Sequence, residues 1–254
     1  MSALTEALGD LVAEAGGVDC LFEPDGYRHL GLTILDSVLS LRQRYSGTSR
    51  RLQRYCEAVP ELEWTALDAS GPEHDAARLV ETLRALPVGA QTEIFGALKA
   101  PGTRRPRREV VEEVAANLLT MSPAVCTQDE FRQALETDYA RVAARVMGIR
   151  GVGIAAWRYM MNLNGLQAAK PDTMVVRWVQ RVLPAEEPPR SEQAIGALFE
   201  SAVHRLRNLS RGLRHERGYL LWILASREGS LIQAVVGSRG GVGRRPRKRS
   251  GLAV

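Results

Sequence analysis

Little in this chain suits it to a membrane, a disulfide scaffold or a metal site. No apolar run approaches the roughly 20 residues a spanning helix needs. Cys20, Cys56 and Cys126 lie far apart, without metal-ligand spacing or an even-numbered disulfide pattern, so they read as reduced thiols of a cytoplasmic protein. His74, His204 and His215 have no partner at ligand spacing, and no metal is expected. The first residues, Met1-Ser2-Ala3-Leu4-Thr5-Glu6, lack the basic segment and apolar core of a secretory signal. Lysine is scarce, at Lys99, Lys170 and Lys248, so the basic character rests on arginine. Segments of alternating polarity with hairpin turns are also missing, which argues against a β architecture.

What is present is an ordinary globular composition, with 45% hydrophobic and 25% charged residues. The net charge of +5 is misleading. Residues 239–254 carry Arg239, Arg244, Arg245, Arg247, Lys248 and Arg249 with no acid; taking those six charges from +5 leaves the body at −1. Nucleic-acid binding would therefore depend on local patches. The tail, Gly/Arg-rich from Gly240, reads as disordered, with non-specific DNA affinity or no specific role as the two alternatives.

Helical periodicity runs through the rest. Apolar spacing predicts helices over 4–14, 30–41, 48–56, 62–68, 75–86, 91–99, 108–121, 128–147, 154–164, 173–183, 191–209 and 213–227. Thr127 with Glu130 three residues on gives the N-terminal signature of the longest of these. Between two helices stands Ile149-Arg150-Gly151-Val152-Gly153-Ile154, and nineteen residues after Gly153 comes Asp172, in Lys170-Pro171-Asp172-Thr173. Glycines let a turn approach another molecule closely, and the next helix directs its N–H groups at an anion such as a phosphate.

This hairpin, the apolar helix after it and the aspartate opening a third helix resemble the helix–hairpin–helix superfamily of DNA glycosylases, the endonuclease III and adenine glycosylase relatives. The likeness is strongest over 148–178. It extends to Asp36-Ser37-Val38-Leu39-Ser40-Leu41-Arg42-Gln43-Arg44, similar to an early helix ending in a glutamine, and to Tyr219-Leu220-Leu221-Trp222-Ile223-Leu224 near the end. The resemblance implies an all-α fold with a six-helix barrel domain over 30–167 that includes the hairpin. It also implies a second helical domain from 1–29 and 168–238, a basic tail over 239–254, and a cleft between the two domains.

The resemblance further implies roles. Asp172 would stabilise an oxocarbenium-like sugar and orient or deprotonate water, the charge logic of glycoside hydrolysis. Gln43 would fill the gap left by an extruded base, and Tyr45 is a stacking candidate. Arg150, Gly151, Val152, Gly153 and Ile154 would hold DNA phosphates, with Lys170 as a further phosphate contact. A monovalent cation on the hairpin carbonyls is implied as well. In the adenine-specific relatives an acid near Asp36 protonates the departing base; Asp36 lies about one residue off that position.

Three departures shape the expectation. Ala155 stands where bifunctional relatives carry a nucleophilic lysine, so a Schiff-base lyase step lacks its amine. No cysteine cluster follows the last helix, so no iron–sulfur cluster is expected. Met174 follows Asp172-Thr173 where histidine is common. The expected activity is thus a monofunctional glycosylase acting on double-stranded DNA with a damaged or modified base, in the cytoplasm at the nucleoid. The alternatives are a non-catalytic helix–hairpin–helix DNA-binding protein, or a glycosylase/lyase using Lys170. Asp172 as a plain N-cap, Gly151 and Gly153 as a plain turn, and the loop Lys99–Arg108 as merely solvated remain the simpler readings of those residues.

Overall fold

The computed structural model describes residues 3–14, 27–43, 45–64, 69–166, 173–183, 191, 193–198 and 201–202. Lys170, Asp172, the helix expected over 213–227 and the tail over 239–254 lie outside the described residues. Those described are mostly helical. In chain order they form α1 (Ala3–Glu14), α2 (Leu30–Leu39), α3 (Tyr45–Glu57), β1 (Glu63–Trp64), β2 (Ala69–Ser70) and α4 (Ala76–Ala85). Then follow α5 (Val88–Phe95), α6 (Arg107–Leu119), α7 (Gln128–Met147), α8 (Ile154–Leu163) and α9 (Thr173–Val182). Among the described residues no helix is long and apolar enough to cross a membrane.

α2 is the hub. Every one of its residues is buried, and it packs against α3, α4, α6 and α8. A helix surrounded in this way must be apolar nearly all round, and Leu30, Leu32, Ile34, Leu35, Val38 and Leu39 supply that surface. One stripe breaks the rule: Thr33, Asp36, Ser37 and Ser40 are also buried. Ser37 and Ser40 satisfy themselves by donating to the carbonyls of Ile34 and Ser37, at 2.8 and 3.2 Å.

The main apolar core runs from Tyr27 to Met161, with Trp157, Tyr55 and Phe131 its largest fully buried side chains. Leu4, Leu8, Val179, Ile195 and Ala202 are buried outside that cluster, and α1 packs on α9.

Local signals set most helix ends. Asp75 caps α4 by accepting from the Arg78 N–H at 2.7 Å. Thr127 and Glu130 form a reciprocal capping box on α7. The Glu130 carboxyl also accepts from the N–H of Cys126 at 2.7 Å, and these backbone bonds hold its pKa below the usual carboxylate range. α7 is interrupted at Asp138, whose φ of −151° and ψ of 72° are not helical. Its Oδ1 accepts from the Arg141 N–H at 3.1 Å, the bond of an N-cap, so the second half of α7 starts as a new helix.

The helix expected over 62–68 is corrected. Glu63 and Trp64 instead pair antiparallel with Ser70 and Ala69. Tertiary contacts override the local pattern: His29 Nε2 lies 2.9 Å from the Ala69 carbonyl oxygen, and Gly71 holds φ +131° where a Cβ would meet the Glu61 carbonyl at 2.3 Å. Two-residue strands are too short to leave a period in the sequence.

Candidate functional site

The turn between α7 and α8 uses its two glycines differently. Gly151 has φ +105°, and a Cβ there would sit 2.6 Å from the Ala100 Cβ. It is therefore needed for contact with the loop 99–107 of the same chain. Gly153 is the N-cap of α8 in extended backbone, and a Cβ there would meet nothing within 4 Å. The open side of the turn is thus at Gly153 and the start of α8. The first α8 bond is Trp157 N–H to the Gly153 carbonyl, at 3.1 Å, so the N–H groups of Ile154, Ala155 and Ala156 have no partner within their helix. Val152 is buried and spends its N–H on the Ile149 carbonyl at 2.9 Å. Arg150 is exposed, and its carbonyl accepts from Arg105 Nη1 at 3.4 Å.

The basic loop is less free than its composition suggests. It is closed by a bridge between Lys99 and Pro106. Arg105 pairs with Glu113 at 2.5 Å, and Arg108 donates to the Leu83 carbonyl at 3.0 Å. Arg107 is 3% exposed and donates to three carbonyls: Lys99 at 3.1 Å, Leu39 at 2.5 Å, and Leu41. Burial, and then the nearby Arg51 charge, push its pKa down to about 10. It is still a cation at neutral pH, set against the negative end of the α2 dipole. Of the five basic residues over 99–108, Lys99 and Arg104 are the exposed ones.

Arg107 therefore ties the end of α2 to the basic loop, and Gly151 ties that loop to the hairpin. The C-terminal end of α2 and the turn that opens α8 are thereby held to one loop. Gln43, just past the end of α2, is exposed after Arg42 at φ +52°, and its Nε2 donates to the Arg42 carbonyl at 3.2 Å. Tyr45 opens α3; its side chain lies outside the described set.

Asp36 sits midway along α2, 1% exposed. Its Oδ2 accepts from the Tyr27 hydroxyl at 2.9 Å and the Tyr159 hydroxyl at 3.2 Å. Asp36 is thereby joined to α8, the helix that the glycine turn opens. α9 begins at Thr173, the residue after Asp172. The structure thus brings Asp36, Gln43, Gly153 and Ile154 onto one pair of helices and their ends, while Gly151 and Val152 face inward.

A second buried polar chain escaped the sequence reading. The His74 N–H donates to His29 Nδ1 at 2.9 Å, so the His29 Nε2–H is the donor to the Ala69 carbonyl. Tyr55 Oη lies 2.7 Å from His74 Nε2. Burial above all, with the neighbouring His29 adding to it, pushes the His74 pKa down to about 4; burial raises that of Tyr55 above its usual range. The His74 carbonyl accepts from the Gly31 N–H at 2.8 Å, which anchors the start of α2. These separations of 19 and 45 residues follow no helical or strand period, so no sequence signal could have found them. Among the described residues no group of His, Cys, Asp or Glu is arranged to hold a metal.

The chain belongs to the family described as Domain of unknown function (DUF8548), whose model matches residues 6–222. No curated protein and no solved structure matches it.

Proposed function

We propose that this chain is a monofunctional DNA glycosylase of the helix–hairpin–helix kind, acting on a damaged or modified base in double-stranded DNA. The observation that carries the reading is the hydrogen bond from Tyr159 on α8 to Asp36 on α2. It joins a buried carboxyl to the helix whose N-terminus follows Gly153, while Arg107 and Gly151 hold the end of α2 and the hairpin to one loop. In this reading residues 30–167 are the six-helix barrel, 1–29 and 168–238 the second domain, and the substrate enters between them.

The steps follow from these residues. The N–H groups at Gly153 and Ile154, with Arg150, Arg104 and Lys99, hold phosphates flanking the target. A base stacked in a duplex is out of reach, so it is extruded, and Gln43 fills the gap. The C1′–N bond then breaks and its electron pair leaves with the base, which takes a proton from the Asp36 carboxyl. Asp172 stabilises the cationic sugar and orients a water, whose oxygen bonds to C1′ as a proton passes to the carboxylate. Ala155 offers no amine, so water is the nucleophile and the backbone stays intact.

The test uses duplexes that each carry one altered base. The parent protein releases the base, and Asp172→Asn binds the duplex as the parent does but releases at least a hundredfold more slowly. Binding without release by the parent, on every altered base tried, would leave a DNA-binding hairpin protein and end the glycosylase reading.

A further inference from the structure

Asn162 stands on α8 three residues beyond Tyr159, so their side chains share a face of that helix, about one turn apart. Tyr159 is buried but lies outside the apolar core cluster, to which Ala156, Trp157, Met160 and Met161 belong. The Tyr159 face is the one from which Asp36 is reached.

Asn162 is 2% exposed, and among the described residues neither its Nδ2 nor its Oδ1 has a hydrogen-bond partner. Other buried side chains leave one atom unpaired: Thr33 Oγ1, His74 Nδ1, Gln128 Nε2 and Asn164 Oδ1. Asn162 leaves both its donor and its acceptor. A carboxamide buried in that state is costly, and a leucine of similar size would cost nothing of the kind. A ligand that supplies the missing partners would account for the residue. Its N–H₂ and C=O lie side by side, the pattern that pairs with two adjacent atoms on the edge of a nucleobase.

We propose that the Asn162 carboxamide reads the edge of the extruded base, and that the ligand class is a nucleobase presenting a donor and an acceptor on neighbouring atoms. This rests on the glycosylase reading for how the base arrives, though not for the binding itself. Tyr159, which donates to Asp36, stands one helical turn before Asn162 on α8. The cost of the unpaired amide in the free protein is recovered when the base is bound.

The experiment measures melting temperature and affinity of the full chain with adenine, hypoxanthine and uracil, and with indole as an aromatic lacking the paired edge. The parent binds at least one of the three bases in preference to indole. Asn162→Leu melts higher than the parent without ligand and binds that base at least tenfold more weakly. Asn162→Asp, which keeps the shape but removes both donors, shifts the preference among the bases. A lower melting temperature for Asn162→Leu, unchanged base binding in it, or no base binding by the parent at millimolar concentration each overturns the inference. Base binding that depends on Asn162, without release from any duplex, retains this site and rejects the glycosylase reading.

Discussion

The Tyr159 hydroxyl donates to Asp36 Oδ2 at 3.2 Å across the packed pair α2 and α8. Tyr27 donates to the same oxygen at 2.9 Å. Tyr159→Phe removes the hydroxyl and leaves the ring, so its stability loss reads the hydroxyl's bonding. About 1–2 kcal/mol is expected, measured by urea unfolding. Asp36→Asn is expected to slow base release at least tenfold. Unchanged release of every accepted base in that variant would remove Asp36 from the chemistry.

Arg107 is a clasp. Its loss leaves the Lys99 carbonyl, and in a buried place the Leu39 and Leu41 carbonyls, without their donor. Arg107→Met should cost about 2–4 kcal/mol. Arg107→Lys should recover only part of that, since an ammonium lacks the planar fork. On the proposed glycosylase reading both weaken DNA binding, because the loop that ties the end of α2 to the hairpin loses its anchor. Thermal unfolding and a duplex titration check the two effects separately.

The two hairpin glycines should respond in opposite ways. Gly151→Ala meets both a positive φ and the Ala100 methyl, so a loss of about 2–4 kcal/mol is expected. Gly153→Ala meets extended backbone and open space, so stability should change by under about 0.5 kcal/mol. DNA affinity should fall all the same, because the methyl stands where phosphate would approach. Equal stability losses in the two variants would contradict the packing described.

His74 makes stability depend on pH. In the unfolded chain its pKa is the ordinary 6.5, and in the fold it is pushed down to about 4. Between those values the unfolded state binds the proton and the folded state does not, so stability rises with pH there. Lowering the pH from about 7 to about 4 should therefore cost on the order of 3 kcal/mol. Above about pH 7 this contribution is flat. His74→Gln should flatten the slope, as urea midpoints across that range would show.

Local chemistry explains what could be read in advance. The capping box at Thr127 and Glu130 was legible because both partners lie within one turn. The apolar period gave α2, α4 and α6 for the same reason. Asp138 was not legible as a break, because a capping aspartate inside a helical pattern looks like any surface acid. Arg107 was counted with a solvated basic loop, since nothing local announces that its guanidinium turns inward to carbonyls 66 and 68 residues away. Asp36 stood out through the likeness to the adenine-specific relatives. The phenols that hold it, at separations of 9 and 123 residues, did not.

The most direct measurement incubates the protein with a panel of duplexes, each bearing one altered base, and treats half of every sample with hot alkali. A monofunctional glycosylase gives strand breaks only after alkali, on at least one duplex, and none in Asp172→Asn. Breaks without alkali, with a borohydride-trapped adduct that Lys170→Ala removes, would contradict it. So would the absence of breaks in either half across the whole panel.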